Sequence, residues 1–344
     1  MREVVRFINP YDPGKFPEDL PFDYDEVVQL GSNENPYAPS DEVRRAYLNS
    51  FSLINRYPSA TYRKLKEAIS EYTGFPEYSI AVGCGASELI EAICNVVVEE
   101  LDRVVIPMPS YTMYAIYSML RSASINFPVF EGHKIDPQVI AEVRPKLTFI
   151  CSPNNPTGNT VERGVIEEIA SASEYLVVDE AYVEFSEKGS CADLLEEFDN
   201  IIFLRSFSKF FGLAGMRVGY ALCHPEIAEA IEKVRLPFAV SYPAMNTAVA
   251  AIRSRKYYRA IRDRIVAERE RLLSELAKID WLKPYPSEAN FILVKVEREG
   301  LCDRLLERGI IVRDASVMGL EGEHVRITVG TREQNDRLIE ALRD

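Results

Sequence analysis

Through the middle of this chain short β-rich runs alternate with helical ones, and that alternation restricts the fold more than any other feature. SIAV precedes ASELIEAICNVVVEEL, RVVIP precedes YTMYAIYSMLRS, LTFIC precedes VERGVIEEIASAS, and YLVVDEAY and NIIFLRSF follow. A pattern of this kind favours a parallel sheet covered by helices. At 344 residues the chain exceeds the usual size of one domain, so a large unit and a smaller one are expected. Residues 1–39, rich in Pro, Asp and Asn, read as an extended arm, and residues 40–244 as the large domain. After the prolines between Pro237 and Ala244, TAVAAIRSRKYYRAIRDRIVAERERLLSELAKI reads as a long linking helix into a small domain, residues 245–344. There ANFILVKV, GIIVRDA and HVRITVG read as strands, and LCDRLLERG and REQNDRLIEAL as helices.

Charge narrows the partners. With 53 acidic and 40 basic residues the net charge is -13, which argues against an overall attraction to nucleic acid or an anionic membrane. The start, MREVVRFINPYDPGK, reaches charge and proline too soon for a signal-peptide core, and no run of about 18 apolar residues occurs. The cytoplasm is the expected compartment. The cysteines at 84, 94, 151, 191, 223 and 302 form no CxxC pair and the three histidines stand apart, so no metal site is expected from ligand spacing.

Two local patterns carry chemistry. In SIAVGCGASELIEAI, Gly83 and Gly85 sit between a strand and a helix, where free backbone N–H groups and the helix dipole suit a phosphate. Glu88 occupies the place of a third dinucleotide-fingerprint glycine, and no GxxxxGK[ST] occurs, so nicotinamide and P-loop readings weaken. In FLRSFSKFFGLAGMRVGY, Lys209 lies among Phe207, Phe210 and Phe211. Apolar surroundings disfavour its charged form, as a lysine that attacks carbonyls requires. Ser206, Ser208 and Arg217 could together grip a phosphate dianion. Upstream, Asp179 ends the strand YLVVD, at the edge where α/β sheets bind ligands.

The ordered series LGSNENPYAPS, RYPSATYRKLKEAI, GCGASELI, PSYTMY, SPNNPTGN, VVDEAYVEF, RSFSKFFGLAGMRVGY, EANFILV and VRITVGT spans nearly the whole chain. It resembles the fold-type I pyridoxal-phosphate aminotransferases, and among them the histidinol-phosphate aminotransferase family with its near relative, the threonine-phosphate decarboxylases. The resemblance implies an α/β fold with a large domain on a mostly parallel seven-stranded sheet, a small α/β domain, and pyridoxal 5′-phosphate as cofactor. It implies that Lys209 forms a Schiff base with the cofactor aldehyde, that Asp179 pairs with the pyridinium nitrogen, and that Tyr182 and Asn155 hydrogen-bond the phenolic oxygen. Tyr111 would stack on the ring. Gly85, Ala86, Ser87, Ser206, Ser208 and Arg217 would hold the phosphate, joined by Tyr57 from the neighbouring subunit of a homodimer.

On the substrate side, Arg326 resembles the arginine that takes an α-carboxylate, and Arg313 a second anion-binding arginine for a phosphate or distal carboxylate. Asn33, Glu34, Asn35 and Tyr37 would belong to an active-site lid, with Asn33 and Tyr37 near substrate. The implied reaction moves an amino group from glutamate to imidazole acetol phosphate, giving histidinol phosphate and 2-oxoglutarate in histidine biosynthesis. SPNNPTGN and the VRITVGT-REQN ending lean toward this transaminase, whereas Ala86 and Ser87 stand where the histidinol-phosphate enzymes more usually carry Ser and Asp. Threonine-phosphate decarboxylation is the nearest rival and an aromatic amino-acid aminotransferase the next. A non-catalytic, aminotransferase-like ligand-binding protein is the rival from another class; the intact Lys209, Asp179, Tyr182 and Arg217 favour an enzyme.

Overall fold

The computed structural model describes residues 1–343. The strands in chain order begin with β1 (Val28–Gln29), β2 (Ile80–Gly83), β3 (Arg103–Val105), β4 (Ser124–Asn126), β5 (Leu147–Cys151), β6 (Tyr175–Asp179), β7 (Ile201–Ser206) and β8 (Gly219–Cys223). The later ones are β9 (Leu282–Pro284), β10 (Phe291–Val296), β11 (Ile310–Ile311), β12 (Arg313–Asp314) and β13 (His324–Thr328). Among the described residues β2 to β8 form a seven-stranded sheet in the order β2-β8-β7-β6-β5-β3-β4. All neighbours run parallel except β8, which is antiparallel to both β2 and β7.

Every residue of β5, β7 and β8 is buried, which explains why LTFIC in β5 and Ile201–Leu204 in β7 read as nearly continuous apolar runs rather than alternating ones. Successive side chains feed two cores on opposite faces: Ile201 and Phe203 enter one, Ile202 and Leu204 the other. Helices cover both faces. The helix Gly85–Val97 presents Leu89, Ile90, Ile93 and Val97 to the second core, at the spacing of one helical face.

Two strands are not evident in the chain's pattern. β4 is three residues long and only partly buried. β8 begins with a glycine next to a charged turn, which lowers its strand signal. The long charged segment after Pro243 also differs from one continuous helix. It is two, Tyr242–Arg253 and Arg255–Leu276, parted at Ser254. The Ser254 hydroxyl reaches back 2.8 Å to the Ala250 carbonyl and lies 2.9 Å from Ser40 Oγ, competing with the helical ladder at the break.

The second sheet, in the order β12-β13-β10-β9, is antiparallel. Its apolar face, with Ile292, Val294, Val325 and Ile327, packs with Leu272, Leu276, Leu338 and Leu342 from two helices, and with Val28 and Leu30 from the arm. β1 pairs parallel with β11, and Leu30 extends the contact by receiving a 2.9 Å hydrogen bond from Thr328 N. The arm is therefore stitched to the small sheet at residues 28–30.

The start of β8 lies against the start of the helix Gly85–Val97. A Cβ at Gly219 would sit 2.6 Å from both the Ala86 nitrogen and the Gly85 carbonyl carbon, closer than real contacts allow. Gly219→Ala is expected to destabilise the protein by about 1–3 kcal/mol, through overpacking against backbone that has nowhere to move. Equilibrium denaturation checks it, and an unchanged midpoint would mean the helix start is not seated on β8.

Candidate active site

Because β5, β6 and β7 run parallel, their C-terminal residues Cys151, Asp179 and Ser206 come out at one edge of the sheet. A cavity of about 480 Å³ opens there, with the start of the helix Gly85–Val97, the arm and the small sheet supplying further walls. A wider hollow of about 840 Å³ lies elsewhere beside Tyr72 and His224. Arg205 at its edge is already paired with Glu180 at 2.7 Å and with Glu184 at 3.4 Å.

One end of the smaller cavity is built for an anion. The first N–H groups of the helix starting at Gly85 have no partner within the helix, and Ala86 and Ser87 line the cavity. Arg217 sits over this turn, its guanidinium so near Gly85 that a Cβ there would meet Nη2 at 2.5 Å. Arg217 Nη1 donates to Ser208 Oγ at 3.3 Å and to the Ala214 carbonyl at 3.1 Å, and Ser206 Oγ accepts from Ser208 N at 3.0 Å. Arg217 holds a left-handed backbone (φ 52°), which aims it back at the helix.

Lys209 lies between these donors and the small sheet. Its Nζ donates to the Ser32 carbonyl at 2.9 Å and lies 5.7 Å from the centre of the Tyr182 ring. Burial, reinforced by the positive charge of Arg326, lowers its pKa to about 7. Asp179 is buried, with one oxygen accepting from Tyr114 Oη at 2.7 Å and the other from Ala181 N at 3.0 Å. Burial pushes its carboxyl upward while those two hydrogen bonds pull it back. The buried Tyr182 hydroxyl accepts from Asn33 Nδ2 at 3.1 Å. Asn33 is itself held by Thr328, whose hydroxyl receives the Asn33 N–H at 2.9 Å.

The far wall carries two arginines. Arg326 donates through Nη1 to Asn155 Oδ1 at 2.6 Å and through Nη2 to the Gly31 carbonyl at 2.7 Å, leaving its buried Nε without a partner. Arg313 donates to the Asp12 carbonyl and lies 3.5 Å from the Asp12 carboxylate, while its buried Nη1 has no partner. A buried guanidinium nitrogen without an acceptor is costly, and two such arginines in the lining of one cavity make that wall suited to anionic ligand oxygens.

Of the expected site residues, Ala86, Ser87, Tyr111, Asn155, Asp179, Tyr182, Ser206, Ser208, Lys209, Arg217, Arg326, Arg313 and Asn33 all line this cavity, and Gly85 lies under Arg217. Two do not. Tyr57 is 78% exposed and stacks on Phe238 at 4.7 Å. Tyr37 packs against the large hydrophobic core instead, because Asn35 turns the chain there, bonding Tyr37 N at 3.1 Å and the Phe210 carbonyl at 3.0 Å. The structure adds Tyr11, whose ring meets Tyr111 edge-on at 6.1 Å, and Tyr114. Tyr114 lies one helical turn beyond Tyr111 in YTMY, a spacing that places both on one face. Tyr11 has no such signal, since only the folding of the arm brings it here.

Residues 25–342 match the family described as aminotransferase class I and II. Over all 344 residues, and the whole of the relative, the chain is 67% identical to histidinol-phosphate aminotransferase 2 of Archaeoglobus fulgidus. It is 36% identical to the histidinol-phosphate aminotransferase of Methanocaldococcus jannaschii, with 100% of this chain and 97% of that one covered. The crystal structure of histidinol-phosphate aminotransferase from Sinorhizobium meliloti in complex with pyridoxal-5′-phosphate superimposes with a TM-score of 0.89. That match is at 24% identity, over 100% of this chain and 97% of that one, so the likeness is one of fold.

Only the neutral amine of Lys209 attacks an aldehyde, so its reactivity should rise with pH and reach half its maximum near the lowered pKa of about 7. Timed exposure of the protein to salicylaldehyde, a borohydride quench and peptide mass analysis at Lys209 give the profile. A half-maximum near the ordinary lysine value would mean that the amine is fully solvated.

Proposed function

The chain belongs to the class I and II aminotransferases, and from that premise we propose that it is a histidinol-phosphate aminotransferase, moving the amino group between glutamate and imidazole acetol phosphate in histidine biosynthesis. The observation that carries the substrate is the 67% identity along the full length of the Archaeoglobus fulgidus enzyme. We read it as a cytoplasmic homodimer. Residues 1–39 form the arm, 40–244 the cofactor domain and 245–344 the small domain.

Its cofactor is pyridoxal 5′-phosphate, and the residues present fit that group. Gly85 leaves room that a Cβ would fill beneath Arg217, the helix start and the serine hydroxyls supply donors for a dianion, and Asp179 and Lys209 supply a buried carboxylate and an amine whose pKa is lowered to about 7. When bound, the cofactor supplies an aldehyde for amines to join and a ring that accepts the electron pair left when a proton leaves the substrate's Cα.

The chain's residues do the rest. Gly85, Ala86 and Ser87 offer backbone N–H groups to the phosphate, and Ser206, Ser208 and Arg217 close around it. Asp179 keeps the proton on the ring nitrogen by placing a buried negative charge against it. Tyr182 and Asn155 donate at the phenolic oxygen, and Tyr111 packs on the ring face. Lys209 Nζ, its pKa lowered to about 7, would take the proton from Cα and hand it on, a role that needs an amine able to cycle between charge states.

Arg326 receives the α-carboxylate of glutamate. Its bond to Asn155 Oδ1 orients that side chain and leaves the Asn155 Nδ2 donor for the cofactor. Arg313 receives the phosphate of histidinol phosphate or the distal carboxylate of glutamate, taking the place that Asp12 holds in the free chain. Asn33 orients Tyr182 from the arm. The exposed Tyr57, stacked on the exposed Phe238 and following the exposed Phe51 and Ile54 in sequence, supports a second subunit, whose phosphate Tyr57 would reach.

Mixing the cofactor-loaded protein with histidinol phosphate, with no keto acid present, should convert its visible band to that of pyridoxamine phosphate, and 2-oxoglutarate should restore it. A band that stays unchanged rejects the substrate, and threonine phosphate then becomes the compound to try. Lys209→Ala is expected to lower turnover by about a thousandfold or more. Arg313→Leu should raise KM for histidinol phosphate by about tenfold or more, through loss of a charged hydrogen bond, with a smaller change in kcat.

A further inference from the structure

One hydroxyl in the cavity wall has no part in holding phosphate, amine or substrate. Tyr114 stands in the first turn of the helix Thr112–Leu120 and is fully buried. Its ring lies flat on Phe149, with centroids 4.7 Å apart and planes 7° from parallel, and meets Tyr111 edge-on at 5.5 Å. Its hydroxyl donates to Asp179 Oδ2 at 2.7 Å. Among the described residues no other side chain hydrogen-bonds that carboxylate; the second oxygen is held by the backbone N–H of Ala181 at 3.0 Å.

This geometry leaves little freedom. Phe149 on one side and Tyr111 at the edge lock the phenol ring, so the direction of its O–H is set by packing rather than by solvent. With one bond on each oxygen, the Asp179 carboxylate can neither rotate nor withdraw, and each oxygen keeps a lone pair for another donor. Burial and the neighbouring negative charge of Asp179 both push the Tyr114 phenol upward, so it remains a donor throughout the working pH range.

On the reading that Asp179 meets the ring nitrogen of the cofactor, we propose that Tyr114 is the positioning residue for that contact: its O–H fixes the rotation of the carboxylate and leaves the remaining lone pairs for the ring N–H. Tyr114 acts through Asp179 and not on the reacting atoms.

The test compares two ligands, pyridoxal 5′-phosphate and its 1-deaza analogue, in which carbon replaces the ring nitrogen, by equilibrium dialysis against apoprotein. The hydroxyl matters only where a ring nitrogen exists. Tyr114→Phe is therefore expected to weaken pyridoxal phosphate about tenfold or more while leaving the analogue within about twofold of wild type. Tyr114→Leu, which removes ring and hydroxyl together, should likewise lower the ratio of the two affinities on a different packing background. Equal losses with both ligands would make Tyr114 a packing residue and overturn the proposal, as would no loss with either. Asp179→Ala separates the underlying reading: if it keeps the wild-type preference for pyridoxal phosphate over the analogue, the role given to Asp179 fails, whatever Tyr114 does.

Discussion

Parallel strands can be joined only by crossovers that leave from one edge of the sheet and return at the other, and the rest of this molecule follows from that constraint. Every connection leaving β5, β6 and β7 begins on the same edge, so Asn155, Asp179, Tyr182, Ser206, Ser208 and Lys209 gather there although they span more than fifty positions of sequence. β8 then runs the opposite way and brings Arg217 and Gly219 to that same edge from the other direction. The strands themselves are buried on both faces and mostly apolar, which gives the polar groups at their ends a rigid base.

Charge is treated in two ways near this edge. Arg205 and Glu180, one residue past Asp179, face away from the cavity and satisfy one another, with Ser190 bonding both. Their mutual pairing means the charge next to Asp179 is already neutralised locally. Inside the cavity the arrangement is reversed. Arg313 and Arg326 each keep a buried nitrogen without an acceptor, and Lys209 is stripped of enough water to lose its proton near neutrality. Unmet demand on that scale is what ligand oxygens relieve, and it draws binding energy toward the groups that react.

The architecture was legible because long apolar runs ending in Asp179 or in Ser206 have few other folds open to them, and most of the site because Lys209, Asp179 and Arg217 stand in compact motifs. What could not be read depends on contacts between distant segments. β8 hides behind Gly219, a residue that weakens a strand by itself and is needed only because another backbone lies against it. Tyr11 enters the cavity through the path of the arm, and Tyr37 leaves it because Asn35 anchors the turn to Phe210. At the break, Ser254 meets a hydroxyl from residue 40, a partner that no local pattern near 254 encodes.

The pairing of β1 with β11 bears on how the protein comes into being. Val28 and Leu30 are buried with Leu338, Ile339 and Leu342, and Arg337 Nη2 holds the Glu26 carbonyl at 3.0 Å, so the two ends of the chain complete one core. During synthesis the N-terminal segment emerges first, but β1 has no strand to pair with until β11 is made, and its core is incomplete until the last helix leaves the ribosome. The large sheet can form in the meantime, but Ser32, Asn33 and Gly31, which touch Lys209, Tyr182 and Arg326, reach their places only when the C-terminus arrives. A ribosome-bound or truncated chain that lacks the C-terminal partners of β1 therefore lacks the wall that Gly31, Ser32 and Asn33 form around Lys209.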